Sequence, residues 1–114
     1  MSPRRRSNLA AQRRASVVFA ALGDETRLSL VARLSGGEPR SISELTDGSR
    51  LTRQALTKHL RVLERAGIVQ GARAGRESRF AFEPASLEPI KTYIDLVAEQ
   101  WDESLSRVKS LVEN

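Results

Sequence analysis

Between residues 49 and 79 of this 114-residue chain, Arg50, Arg53, Lys58, Arg61, Arg65, Arg73, Arg76 and Arg79 stand against only Glu64 and Glu77. A guanidinium offers a planar fork of donors suited to phosphate oxygens and to guanine O6 and N7. A Lys ammonium acts as a point charge, a Gln amide can pair with an adenine edge, and a Thr methyl can touch thymine. Arg53, Gln54, Thr57, Lys58 and Arg61 recur at helical spacing, so one helix side would present this chemistry together. Catalysis has no comparable set of groups. There is no Cys and the only His is His59, which leaves nucleophilic, acid–base and thiolate–metal chemistry without its usual residues. Asp24-Glu25 and Asp102-Glu103 are neighbours that do not converge, and Gly36-Gly37 lacks the Lys-Ser or Lys-Thr of a phosphate loop. Asp95, Glu99 and Glu103 line up at i, i+4 and i+8, which reads as a solvated acidic face with Glu103 paired to Arg107. No enzyme, no metal and no cofactor is expected.

The charge is unevenly spread. Nineteen Lys and Arg against fourteen Asp and Glu give +5, with a sequence pI near 10.7. Residues 1–14 hold Arg4, Arg5, Arg6, Arg13 and Arg14 with no acid, and the segment 49–79 holds the other basic excess. Residues 15–48 and 80–114 are net acidic. Basic charge gathered into two stretches is the footprint expected for a polyanionic partner. The length suits one domain, and with only 39% apolar and 4% aromatic residues its core is thin enough for a partner to complete. The longest apolar stretch, Val17 to Leu22, is too short to span a bilayer, so a cytoplasmic protein with no membrane partner is expected.

Elements to position these residues can be read from caps and periodicity. Asn8 to Leu22 is expected as a first helix, with Ala15, Val18, Phe19 and Leu22 on one side. Asp24 caps a second, Glu25 to Ser35, whose Leu28, Val31 and Leu34 point inward. Ser41-Ile42-Ser43-Glu44 has the pattern of a capping box and opens a short helix ending near Asp47-Gly48. Thr52 caps the next, Arg53 to Ala66, with Leu56, Leu60 and Leu63 inward and Gly67 as its stop. A two-stranded hairpin follows, turning at Ala74-Gly75 with an Arg-rich tip. After Pro84, Ser86 is placed to cap a long final helix in which Ile90, Ile94, Val97, Trp101, Leu105, Val108 and Val112 recur at steps of 4, 3, 4, 4, 3 and 4. That stripe runs for roughly 39 Å, longer than so small a domain needs to cover its own core.

The fold expected is therefore mainly α with a small β-hairpin, in the order α-α-α-α-β-β-α. It is a winged helix-turn-helix dimerising through its terminal helices. Residues 1–7 form a basic flexible arm, 8–85 the winged domain and 86–114 a dimerisation helix continuous with it. The span from Phe19 to Phe82 resembles the ArsR (arsenic-repressor-like) family of winged-helix regulators. The resemblance lies in ALGDETRLSLVARL, SISELT, LTRQALTKHLRVLERAGIV and GARAGRESRFAF, in that order and spacing. It implies that Arg53–Ala66 is the recognition helix, with Arg53, Gln54, Thr57 and Lys58 nearest the base edges. Thr52, His59, Arg61 and Arg50 belong to the same surface, Arg73, Arg76 and Arg79 lie on the wing, and Arg4 to Arg6 act as an arm. It implies a dimer interface of Phe19, Ile90, Ile94, Val97, Trp101, Leu105 and Val108. The Cys and His ligands of the metal-sensing members are missing, so the chain resembles a metal-independent branch. The partners expected are double-stranded DNA and a second copy of the chain, with room for an unidentified small-molecule or protein effector. The activity expected is sequence-specific repression. An interaction module for RNA or an acidic protein is the alternative.

Overall fold

A computed structural model describes residues 3–113. Helix α1 (Pro3–Leu22) leads into α2 (Glu25–Leu34), a two-residue strand β1 (Arg40–Ser41) and the short α3 (Ile42–Thr46). Then come α4 (Arg53–Arg65), the hairpin strands β2 (Val69–Ala74) and β3 (Glu77–Phe82), a 3-10 turn at Pro84–Leu87, and α5 (Glu88–Glu113).

Side-chain caps fix three of the helix starts. Asp24 Oδ1 accepts from the Arg27 N–H at 3.0 Å, Ser41 Oγ from Glu44 at 3.1 Å and Thr52 Oγ1 from Ala55 at 3.1 Å. Each satisfies an amide that the first turn leaves without an intrahelical partner. The end of α4 is equally determined. Gly67 donates to Glu64 O and Ile68 to Leu63 O, both at 3.0 Å, with Gly67 at φ +77. This paired closure needs a left-handed residue, and it drops the fully buried Ile68 directly beneath the helix.

The core is made by Leu30 and Leu34 of α2, Leu45 of α3, Leu56, Leu60 and Leu63 of α4, then Ile68, Val69 and Phe80 from the hairpin. The sheet has three strands in the order β1-β3-β2, all antiparallel. Val69 lies opposite Phe82, Gly71 opposite Phe80 and Arg73 opposite Ser78, so these share the face that packs on α4. Gly71 is tightly enclosed: a Cβ would lie 2.7 Å from Glu64 Oε2 and 3.0 Å from the Phe80 ring, so a side chain there would have to displace the Glu64 carboxylate and press on the ring. The close approach seats β2 against α4.

Four expectations need correction. Helix α1 begins at Pro3, five residues before Asn8. Pro is favoured in a first turn and the Arg, Ala and Gln that follow are strong helix formers, so nothing halts the helix there. In α2 the inward side is Leu30 and Leu34, while Leu28 is 53% exposed. Leu28 and Leu30 lie about 200° apart around a helix, so only one of them can face the core. The hairpin has a third strand, β1, which pairs Arg40 with Phe80 and Ser41 with Arg79. Ser86 does not open the last helix: its hydroxyl donates to Glu83 O at 2.6 Å within the 3-10 turn.

Helix α5 packs on α1 near its start, where the Phe19 and Tyr93 rings meet edge-on at 6.0 Å. Beyond residue 97 every described residue is exposed. The radius of gyration is 19.0 Å, against ~13 Å for a compact chain of this length, and the molecule is 67 Å long. Among the described residues no helix is long and apolar enough to cross a membrane.

Candidate nucleic-acid interface

Helix α4 is strongly two-sided. With Leu56, Leu60 and Leu63 fully buried, the opposite side at i, i+4, i+7 and i+11 carries Gln54, Lys58, Arg61 and Arg65, all exposed. Gln54, Lys58 and Arg65 have no side-chain hydrogen bond or ion pair to any described residue, which leaves their donors for a ligand. Arg61 is paired with Glu64 at 2.8 Å. That exposed pair is weak enough for a phosphate to displace. Arg65 belongs to the basic stretch 49–79, and the same helical period that picks out Gln54 and Lys58 places it on this side.

The start of α4 is built differently. Its first turn has no acid, so the positive end of the helix is uncompensated. Arg53 leans back toward α3, where its Nη1 donates to Ser43 Oγ at 2.8 Å. Ser43 is a residue that sequence alone did not reveal, since only the helix–helix contact gives it a role. Thr57, half-buried, donates its hydroxyl to Arg53 O at 2.7 Å, so that donor is engaged within the helix. Thr52 is occupied as the cap, and Arg50 is exposed in the turn before it.

The wing brings its own cations to the same side. Gly75 at φ +66 forms the first of two loop residues between the paired Ala74 and Glu77, leaving Arg76 at the tip. Arg73 lies two residues beyond Gly71 on the strand face that meets α4. Both arginines are exposed and without partners among the described residues. A concave surface of about 220 Å³ opens between α3, the first turn of α4 and the wing loop, with Arg53 and Arg76 among its lining residues. Arg79 is not placed with them. Its guanidinium bonds Glu44 at 3.2 Å and Glu77 at 3.5 Å, holding the wing to α3 rather than reaching outward. In a capping box the Glu44 carboxylate would reach back to the Ser41 amide; here it bonds Arg79 instead.

His59, readable from the sequence as a DNA-side or a helix-packing residue, takes the packing position. It is half-buried on the inner flank of α4, with Nδ1 3.2 Å from Arg27 Nη1 and 3.9 Å from Asp24 Oδ1. A turn of about 100° per residue separates it from the outer side on which Lys58 sits. The Asp24 carboxyl is held below its ordinary value, first by the hydrogen bond from the Arg27 amide. Desolvation opposes this, while the Arg27 charge and a protonated His59 add to it. A lowered carboxyl keeps its contribution through neutral pH and loses it as the pH falls through the folded pKa, so this cap stays intact except in acid. Arg5 and Arg6 are helical and exposed but not free of partners. Met1 and Ser2 of the expected arm, and the side chain of Arg4, lie outside the described residues.

Comparison with known proteins agrees with this geometry. A helix-turn-helix domain family matches residues 22–71. The HTH-type transcriptional regulator Rv2034 of Mycobacterium tuberculosis is 31% identical over 94 residues, covering 82% of this chain and 84% of its own length. The ArsR-like transcriptional regulator from Rhodococcus sp. RHA1 superposes with a TM-score of 0.77 at 32% identity, covering 90% of this chain and 95% of that one. The chain belongs to the ArsR family. The HTH-type transcriptional repressor SmtB of Mycobacterium tuberculosis is also similar, at 29% identity over 80% of this chain and 65% of SmtB. This ArsR-family protein is thus a DNA-binding transcriptional regulator of winged helix-turn-helix type and not an enzyme. It has no cysteine for a thiolate metal site, and among the described residues no group of three His, Asp or Glu could hold a metal ion.

Proposed function

We propose that the protein is a homodimeric repressor that reads a pseudo-palindromic operator with α4 and grips the backbone with its wing. The observation that carries this is the outer stripe of α4. Its base-reading donors, Gln54 and Lys58, stand exposed and without partners among the described residues, as do the wing arginines Arg73 and Arg76, and Arg76 lines one concave surface with Arg53 at the start of the helix. The projecting half of α5 supports the dimer: Ile94, Val97, Trp101, Leu105 and Val108 are all exposed, Trp101 by 62%. An apolar stripe of this kind on a helix with no cover calls for a second helix. Two recognition helices related by a two-fold axis would address half-sites roughly 34 Å apart. Repression fits the SmtB relative and the simplest action of a bound dimer, which is to occlude a promoter.

Selection of randomised duplex DNA by the purified protein at two salt concentrations tests this reading. A motif with two inverted half-sites is expected; binding without any motif would reassign the basic surface to RNA or an acidic protein. Two variants divide the labour of the site. Gln54→Ala is expected to relax preference at one base position of each half-site, with a loss of roughly 1–3 kcal/mol on the selected duplex. An unchanged motif would remove Gln54 from the base-reading set. Arg76→Ala should instead weaken all duplexes alike and reduce the slope of log affinity against log salt by about one per subunit, as loss of one phosphate contact requires. A slope equal to wild type would place the wing tip away from the backbone.

A further inference from the structure

Behind the outer stripe of α4, one guanidinium joins three elements. Arg27 Nε, on α2, donates to Ala21 O in the last turn of α1 at 2.5 Å, and Arg27 Nη1 lies 3.2 Å from His59 Nδ1 on α4. The Arg27 backbone N–H donates to Asp24 Oδ1 at 3.0 Å, and that oxygen stands 3.9 Å from the same ring nitrogen. A guanidinium can only donate. A hydrogen bond here requires Nδ1 to accept, which assigns the proton of the neutral ring to Nε2.

We propose that Arg27 and His59 are positioning residues for sequence reading: their hydrogen bond fixes the roll of α4 against the α1–α2 corner, and a proton on His59 releases it. This rests on the reading of α4 as the base-contacting helix. Protonation removes the only lone pair that Arg27 can address and sets an imidazolium against a guanidinium. The ring is then drawn toward Asp24, which already serves as the α2 cap. The charged groups brought to the ring from the neighbouring elements are Asp24 and Arg27. On α4 itself the residues one turn away are Ala55, Leu56, Val62 and Leu63, with exposed Lys58 adjacent in the chain. No further acid there would accept the released N–H.

A small movement at this point reaches the outer stripe. A roll of about 10° displaces a side-chain end ~6 Å from the helix axis by ~1 Å. Base-edge hydrogen bonds do not survive that shift, whereas phosphate contacts by flexible Arg and Lys follow it. Loss of the bond should therefore lower the ratio of specific to non-specific affinity while leaving non-specific affinity in place. A proton added to α4 can only favour the polyanion. Charge alone and loss of positioning thus act in opposite directions.

The test uses the full chain, the duplex obtained by selection and a scrambled duplex, with both affinities measured from pH 8.0 to pH 5.5 at fixed ionic strength. His59 is the only histidine, and the His59→Asn variant separates its part in any change across that interval from that of every other group. The wild-type ratio of selected to scrambled affinity is expected to fall roughly tenfold toward the acid end. His59→Asn keeps an acceptor near Nδ1 without titrating, and should hold the neutral-pH ratio flat across the range. His59→Leu and Arg27→Lys should show the low ratio at every pH, with thermal melts showing whether each is folded. Should His59→Leu fail to fold, wild type and His59→Asn decide the matter between them. A pH-independent wild-type ratio overturns the proposal, as does a His59→Leu variant that keeps both the ratio and its pH profile. If selection yields no preferred duplex, it is the reading of α4 itself that fails, and this inference falls with it.

Discussion

Truncating Leu60 to Ala is expected to destabilise the chain by about 3–4 kcal/mol, a large share of the total for a domain of this size. Leu60 has no exposed surface and sits between Leu56 and Leu63 on the inner side of α4, within the cluster that also holds Leu34, Leu45, Ile68 and Phe80. These neighbours come from α2, α3 and the hairpin, each tied separately by a cap or a ladder. The walls of the cavity therefore cannot collapse inward together, and the lost contacts add to the lost transfer energy. Urea unfolding at one protein concentration reads the effect as a lower midpoint at unchanged slope. A loss below 1 kcal/mol would show that the inner side of α4 is loosely packed. Gln54→Ala, on the other side of the same helix, should fall within about 0.5 kcal/mol of wild type in the same experiment.

Placing a carboxylate in the middle of the α5 stripe should have the second large effect, this time on association. Val97 is 44% exposed in the single chain, so Val97→Asp costs little in the monomer's own stability. In the proposed dimer the same position is covered, and two-fold symmetry introduces the buried charge twice. An unpaired buried charge costs several kcal/mol, so the dimer should weaken by at least about a hundredfold. Sedimentation equilibrium reads this directly. Affinity for the two-half-site operator should fall with it, because each subunit then binds without the other's effective concentration. Wild-type protein that remains monomeric at tens of micromolar would overturn the dimer.

Much of this architecture was legible because local chemistry and global fold agree. Asp24, Ser41 and Thr52 are caps in the sequence and caps in the structure. Gly67 and Gly75 supply the left-handed backbone that a helix stop and a tight hairpin require. The 3.6-residue period of α4 picked out its buried leucines, Leu56, Leu60 and Leu63, but not how far Arg53, Thr57 and His59 turn from the outer side. What could not be read was long-range. A two-residue strand has no periodicity, so β1 emerges only from pairing with β3 some 40 residues later. The phase of α2 is ambiguous in a segment where Leu28, Leu30, Val31 and Leu34 all compete to face inward, and the contact with α4 resolves it. The site follows the same division. Gln54 and Lys58, placed by the helix alone, are exposed on its outer side. Arg53, His59 and Arg79 are turned by partners on other elements, namely Ser43, Arg27 and Glu44.

The short strand β1 bears on how portable this reading head is. The region matched by the helix-turn-helix family ends at Gly71, inside β2. It therefore omits β3, which carries both the pairing partner of β1 and the buried Phe80. A fragment cut to those limits would carry every outer residue of α4 and still lose the ladder that anchors α3 and the ring beneath it. Grafting recognition residues from one such protein to another should accordingly succeed when only the outer side of α4 is exchanged. It should fail when the helix-turn-helix is moved without its hairpin, because the wing is a structural member of the head it flanks.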